Sequence, residues 1–221
     1  MIIDCVSDLH GFYPELEGGD LLIIAGDLTD NDSRMSHHEF QMWLASQKYE
    51  KKIVIAGNHD NFIHNHLKEY GVYGFDKWVD AEYLCDSGTE FEGLKIWGSP
   101  WTRSFYGMNP KCMAFTLDTD SKLKEKFDLI PNDIDILITH SPPEGILDSV
   151  CRYDYRSTTV EYCGSNSLRR KLLNTSLKLH VFGHIHEHGG KKEQHGETTY
   201  INASIMNEVY DPVNKPVRVI L

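Results

Sequence analysis

Residues 53–60 read Ile53-Val54-Ile55-Ala56-Gly57-Asn58-His59-Asp60: an apolar run passes straight into a glycine and then three side chains able to bind metal or carry protons. A short β-branched run closed by Gly and Asn reads as a buried strand ending in a tight turn. The same construction recurs along the chain. The run at 2–6 ends in Ser7-Asp8-Leu9-His10, 21–25 in Gly26-Asp27, 134–139 in His140-Ser141-Pro142-Pro143, and 180–182 in Gly183-His184-Ile185-His186. The carboxyl ends of strands in an open α/β sheet face a common crevice, so loops there can bring distant residues to one site. Asp8 and His10, like His184 and His186, are two residues apart, which in regular strand geometry places each pair on one face.

Further apolar runs at 94–97, 199–201 and 217–221 read as strands, and 34–49, with Phe40, Trp43 and Leu44 at helical spacing, as a helix packed on a sheet. Strands outnumber clear helices and their connections vary in length. The expected fold class is therefore α/β, a two-sheet β-sandwich flanked by helices rather than a regular doubly wound sheet. A length of 221 residues with 40% hydrophobic and 25% charged content fits one domain, 1–221. The segment 148–175 is the least regular. It carries Arg152, Tyr153, Tyr155, Arg156 and Tyr162 between helix-like ends, and reads equally as a lid or as a surface excursion.

The net charge of −11 disfavours extended nucleic acid and anionic membrane, which attract basic surfaces, and leaves a small substrate as the expected partner. Five widely spaced cysteines without a CxxC pair point to neither a zinc ribbon nor a disulfide framework, and the expected location is the reducing cytoplasm. No stretch reaches the roughly 18 apolar residues of a membrane span. Carboxylate, carboxamide and imidazole donors together suit manganese, iron or zinc better than the all-oxygen cages of calcium and magnesium. A carboxylate such as Asp27 can bridge two ions, and paired ions about 3.5–4 Å apart serve in-line phosphate-ester hydrolysis.

Asp8-Leu9-His10, Gly26-Asp27, Gly57-Asn58-His59-Asp60, His140 with its Ser-Pro-Pro and Gly183-His184-Ile185-His186 resemble the ordered signature of the calcineurin-like metallophosphoesterases. Segments 52–60, 98–102, 135–143, 179–187 and 200–204 are similar to the small metallophosphoesterase-domain proteins of animal brain and their microbial relatives. The resemblance implies that Asp8, His10 and His186 hold one metal, that Asn58, His140 and His184 hold the other, and that Asp27 bridges. It also implies that His59 is catalytic without being a ligand. The implied cofactors are two divalent transition-metal ions, manganese first, with iron, zinc or cobalt as alternatives. Some animal members carry Gly where this chain has His184, so the site here is the fuller one. The implied activity is hydrolysis of small phosphodiesters by metal-activated hydroxide, 2′,3′-cyclic nucleotides first and monoesters less well. The alternative is a low-turnover metal- or nucleotide-binding interaction module on the same fold.

Any one of these motifs alone reads as an ordinary turn, and the weight lies in five occurring in order. Other residues have plainer readings. His37 and His38 are expected on an exposed helix face, and His64, His66, His180 and His195 in solvated or structural places. His188 is expected near the metals, beside a flexible Gly189-Gly190 loop, but without a direct role. Trp97 reads as core and Trp101 as either core or a nucleobase platform, with Phe105 and Tyr106 beside it. Arg103 and the arginines at 152 and 156 are candidate phosphate contacts. Asp60 is a neighbour able to orient His59, although adjacency does not establish contact.

Overall fold

The 53–56 run lies inside a parallel ladder. The computed structural model describes residues 1–70, 80–104, 107–153 and 157–221. In chain order the elements are β1 (Ile2–Val6), β2 (Gly19–Ala25), α1 (Arg34–Ser46), β3 (Tyr49–Ile55), α2 (Asn61–Tyr70), β4 (Glu82–Tyr83), β5 (Ser87–Phe91), β6 (Leu94–Ser99), β7 (Thr102–Arg103), β8 (Thr116–Leu117), α3 (Asp120–Phe127), β9 (Ile136–Thr139), β10 (Ser149–Tyr153), β11 (Thr158–Tyr162), α4 (Asn166–Leu172), β12 (Leu179–Phe182), β13 (Lys192–His195), β14 (Thr198–Asn202) and β15 (Val217–Ile220). Short 3₁₀ turns occupy Pro110–Cys112 and His186–His188.

One sheet has the order β15-β1-β2-β3-β4 and the other β13-β14-β12-β9-β6-β5. Strands β1, β2, β3 and β4 run parallel in the first, and β6, β9, β12 and β14 in the second, with antiparallel strands at three edges. Side-chain alternation divides the apolar residues of each sheet between two layers. Ile3, Cys5, Leu21, Ile23, Ile53 and Ile55 meet Ile96, Ile136, Ile138, Leu179, Val181 and Ile201 between the sheets. On the other face of the first sheet, Leu22, Ile24 and Val54 pack under Phe40 and Leu44 of α1 and Ile63 of α2. On the other face of the second, Leu137, Phe182 and Tyr200 pack under Leu123 and Phe127 of α3 and Leu168 and Leu172 of α4. The result is the expected two-sheet sandwich flanked by helices. Each aliphatic side chain so buried contributes about 1.5–3 kcal/mol before entropy is counted.

The chain departs from expectation at two elements. The helix expected over 34–49 ends at Ser46, because Tyr49 already begins β3. The segment 148–175 has no helix at its start. It opens with the antiparallel pair β10 and β11, exposed throughout β11, and becomes helical only at α4. Tyr155 and Arg156 lie outside the described residues. Among the described residues no helix is long and apolar enough to cross a membrane.

Because the central strands of both sheets run parallel, their carboxyl ends lie on one rim, where backbone bonds tie the strand-end loops together and one, from Ser7 to Ala203, crosses between the sheets. Ser7 N–H donates to Ala203 O (2.8 Å), Ala203 N–H to Phe182 O (2.7 Å), and Gly183 N–H to His140 O (3.0 Å). Asp8 N–H donates to Gly26 O (2.9 Å) and His10 N–H to Asp27 O (3.0 Å). Residues far apart in sequence thereby become neighbours.

Candidate metal centre and active-site cleft

Each strand entering this rim ends in a sharp turn that aims its polar side chain inward. Asp8 (φ +53°), His10 (φ +42°), Asp27 (φ +55°) and His184 (φ +69°) all adopt the left-handed conformation. Such residues cost about 1–3 kcal/mol each and persist where the surroundings over-determine them, commonly at functional sites. Asp8 and His10 therefore converge through turns beyond the end of β1, and His186 through its 3₁₀ turn, not through the strand alternation expected from their spacing.

The side chains form one connected group. Ligand atoms of Asp8, His10 and His186 lie within 4.8 Å of one another, as do those of Asp8, Asp27 and His140, and those of His10, Asp27 and His59. Asp27 Oδ2 is 3.3 Å from His140 Nε2, 3.7 Å from His10 Nε2 and 4.0 Å from His59 Nε2. His186 Nε2 is 3.2 Å from Asp8 Oδ1. Asn58 Oδ1 is 2.9 Å from His140 Nε2, and the His184 ring lies 5.0 Å from that of His140. All eight residues singled out in the sequence are thus brought together, with Asp27 between the two imidazole groups.

Backbone partners fix which atoms face inward. His140 Nδ1–H donates to Ala25 O (2.9 Å) and His186 Nδ1–H to Asn207 O (3.1 Å), leaving Nε2 of each for the site. Asn58 Nδ2 donates to Cys112 O (3.3 Å), which turns Oδ1 inward. The two carboxylates accept backbone amides: Asp27 Oδ1 from His59 (2.8 Å) and Asp8 from His184 (3.0 and 3.1 Å). Two glycines make room. A Cβ on Gly57 would lie 2.3 Å from Asp27 Oδ1, and one on Gly183 2.1 Å from Asp8 Oδ2.

Burial raises the Asp8 carboxyl, but His186 by charge and hydrogen bond, with His140, more than offsets it and holds Asp8 below the usual range. Burial likewise opposes ionisation of Asp27, and His140 and His59 overcome it. His140 is the converse case: burial lowers it, while Asp27 and then Asp8 carry it up to about 9. Burial drives His10 down to about 4 against Asp27 and Asp8, and burial with the charge of His140 drives His184 to about 3. His10 Nε2 is buried without a hydrogen-bond partner, although it faces a carboxylate. A buried polar atom left unbonded costs stability unless a bound group satisfies it. A divalent cation fits this donor set on that ground and on the ordered oxygen and imidazole atoms around it.

Asp60, adjacent in sequence to His59, ties two loops of the candidate site together instead. It is fully buried and accepts the amides of Asp27 (3.0 Å), Leu28 (3.0 Å) and Gly57 (2.7 Å). Burial and the Asp27 charge push its carboxyl up to about 7. His59 instead sets Nδ1 3.6 Å from Cys112 Sγ, and the turn carrying Cys112 also holds Asn58 and Asn61. His37 is buried, not exposed, because it shares the Phe40–Leu44 face of α1, and it meets Asp32 at 2.8 Å; His38 is exposed as expected. His188 bonds Ser149 Oγ (2.8 Å), anchoring β10. Its neighbours Gly189 and Gly190 do not form a loose loop, since their amides donate to His186 O and Asn202 O, both at 2.9 Å. His64 and His180 are buried, the latter against Thr139 Oγ1 at 2.9 Å, and His195 is exposed beside Glu193.

The site opens into a cleft of about 1090 Å³ whose lining includes Arg103, Arg152, Tyr162 and Tyr210. Both arginines therefore line the cleft, although Arg152 also pairs with Glu161 at 3.1 Å. Trp97 packs against the outer core of the second sheet. Trp101 is structural: its Nε1–H donates to Asp86 (2.8 Å) and the Lys126 ammonium sits 4.2 Å above its ring. Phe105 and Tyr106 lie outside the described residues. Sequence reasoning missed Asn207, whose carbonyl orients His186, together with Cys112 and Tyr210. The only sequence signal near Tyr210 is the Asn-Glu-Val-Tyr-Asp-Pro run of 207–212, which predicts a turn and nothing more.

A two-sheet sandwich with acidic, carboxamide and imidazole side chains gathered on one rim defines a metallophosphoesterase. Residues 1–188 match the family described as Calcineurin-like phosphoesterase, and the chain belongs to it. It is 38% identical over 234 residues to metallophosphoesterase domain-containing protein 1 of Homo sapiens, covering 96% of this chain and 68% of that protein. A UPF0046 protein of Caenorhabditis elegans is 34% identical over 233 residues, covering 95% of this chain and 78% of the relative. Among solved structures, the TT1561 protein of Thermus thermophilus shares the fold at a TM-score of 0.58 with 16% identity, covering 91% of this chain and 88% of that one.

Proposed function

We propose that this chain is a metal-dependent phosphodiesterase acting on small phosphodiesters, with 2′,3′-cyclic nucleotides as the leading class, in a reducing cytoplasm. The observation that carries the reading is Asp27, whose one carboxylate faces His10, His140 and His59 together. Asp8, His10 and His186 would hold one ion, Asn58, His140 and His184 the other, with Asp27 shared. Manganese is favoured among manganese, iron, zinc and cobalt by the mixed oxygen and imidazole donors. Bound divalent ions supply Lewis acidity, which activates water and offsets charge on the phosphoryl group.

The chain's own groups supply the rest. His59 keeps 24% of its side chain exposed while its backbone N–H is fixed to Asp27, so its ring meets the cleft at the edge of the ligand group. There it can give a proton to the departing oxygen, which is how a positioned imidazole accelerates ester cleavage. Arg103 lines the same cleft, and among the described residues it has no ion-pair partner, leaving its guanidinium for an anionic oxygen of the substrate's phosphoryl group. The cleft is sized for a nucleotide, near the upper end of small-molecule pockets. All five cysteines are free thiols, which supports the cytoplasmic reading.

The test is hydrolysis of cyclic nucleotides, an aryl monoester, an aryl diester, single-stranded DNA and a phosphopeptide by manganese-loaded protein, beside His59→Ala. Diesters should turn over fastest, and His59→Ala should lose about 10²–10⁴-fold in kcat with metal content unchanged. Equal rates in the two proteins sink the acid role. Two ions bound per chain with no turnover of any substrate replaces the enzyme reading with a binding module.

A further inference from the structure

Tyr210 is remote in sequence from the ligand loops, yet its ring contacts three of their imidazoles. Centroids lie 4.9 Å from His10, 4.8 Å from His186 and 6.3 Å from His59. It lines the cleft and remains 53% exposed, so packing alone does not account for its place. Among the described residues its hydroxyl has no hydrogen-bond partner.

The backbone holds it there against its own preference. Tyr210 has φ +64°, a conformation rare for a bulky side chain. A closed network over-determines it: Asn207 Oδ1 accepts the amides of Val209 (3.0 Å) and Asp211 (2.8 Å), while Tyr210 N–H donates to Asn207 O (3.0 Å). That same carbonyl accepts His186 Nδ1–H, so one atom positions both the Tyr210 backbone and a candidate metal ligand. Strain maintained in this way at a cleft points to use of the side chain. The cleft also carries Asp118, Glu187 and Glu208, so a neutral donor is well suited to receive an anion among these carboxylates.

We propose that Tyr210 contacts substrate, its phenol O–H donating a hydrogen bond to a non-bridging oxygen of the bound phosphoryl group. The inference rests on the phosphoesterase reading, and its test does not depend on turnover. Inorganic phosphate is titrated calorimetrically into manganese-loaded wild type and Tyr210→Phe, which loses only the hydroxyl, with manganese per chain and thermal midpoint measured in parallel. The expected result is about 10-fold weaker phosphate binding in Tyr210→Phe with metal content and midpoint unchanged, the loss of one hydrogen bond to a charged group. Equal phosphate affinity in the two proteins overturns the proposal. So does a fall in manganese content that accounts for the weaker binding, which makes Tyr210 a prop for His10 and His186, and so does wild type that binds manganese but no phosphate. Weakened phosphate binding in Tyr210→Phe with no hydrolysis by wild type keeps the contact and rejects the diesterase reading.

Discussion

At the scale of single residues, the site depends on side chains approaching backbone more closely than a Cβ allows. Gly57 is the sharpest instance, because an added methyl would lie 2.3 Å from Asp27 Oδ1 and 2.6 Å from His140 Cε1. Neither neighbour can yield freely: Asp27 Oδ1 holds the His59 amide, and His140 is fully buried and bonded to Ala25 O. Gly57→Ala should therefore displace the shared carboxylate, cost about 1–3 kcal/mol of stability as overpacking, and strip metal more completely than it unfolds the chain. Elemental analysis beside thermal unfolding decides this, and full metal content in the variant refutes the shared role of Asp27. The candidate ligand residues were legible because each follows an apolar run whose end could be located by pattern. The role of Asp60 and the place of Tyr210 were not, because amide bonds between loops and a left-handed tyrosine leave no periodic trace.

At the scale of elements, the central strands and the apolar edge strand β15 were readable, and the polar or very short edge strands were not. Strands β1, β2, β3, β6, β9, β12 and β14 carry the buried residues, so burial writes itself into their composition. Strands β11 and β13 are exposed at every position, and α3 buries only Leu123 and Phe127, too few apolar positions to announce themselves. The β10–β11 hairpin matters because Val150, Arg152, Glu161 and Tyr162 form part of the cleft wall. With almost no buried side chains of its own, it depends on ties at its base, of which the His188–Ser149 bond is one. His188→Ala should raise amide exchange across 149–162 about 5-fold, the equivalent of about 1 kcal/mol for one hydrogen bond, while β12 stays protected. Mass-resolved hydrogen exchange reads this directly. Unchanged exchange in the hairpin means that His188 does not anchor it.

At the scale of the whole molecule, the sequence indicated two sheets and a common rim, but not which strands share a sheet, since alternation records which face is buried and not against which partner. The assembly also stores protons where metal would enter. Without metal, Asp27 and Asp8 hold His140 at about 9 despite burial, and His186 is raised as well, chiefly by Asp8 against its own burial. A raised imidazole stabilises the folded metal-free chain fully below its ordinary value of 6.5, and that stability is lost as pH rises through about 9. His10 and His184, at about 4 and 3, are already neutral at physiological pH, and the two carboxylates are already ionised. Metal entry near neutral pH must therefore expel the proton that Asp27 and Asp8 hold on His140. Manganese affinity should rise at least about tenfold per pH unit between about pH 7 and 8, with proton release visible as a buffer-dependent heat in titration calorimetry. Affinity independent of pH over that interval, or heats identical in buffers of different ionisation enthalpy, rules out a protonated His140 in the metal-free site and with it the competition between proton and metal at its Nε2.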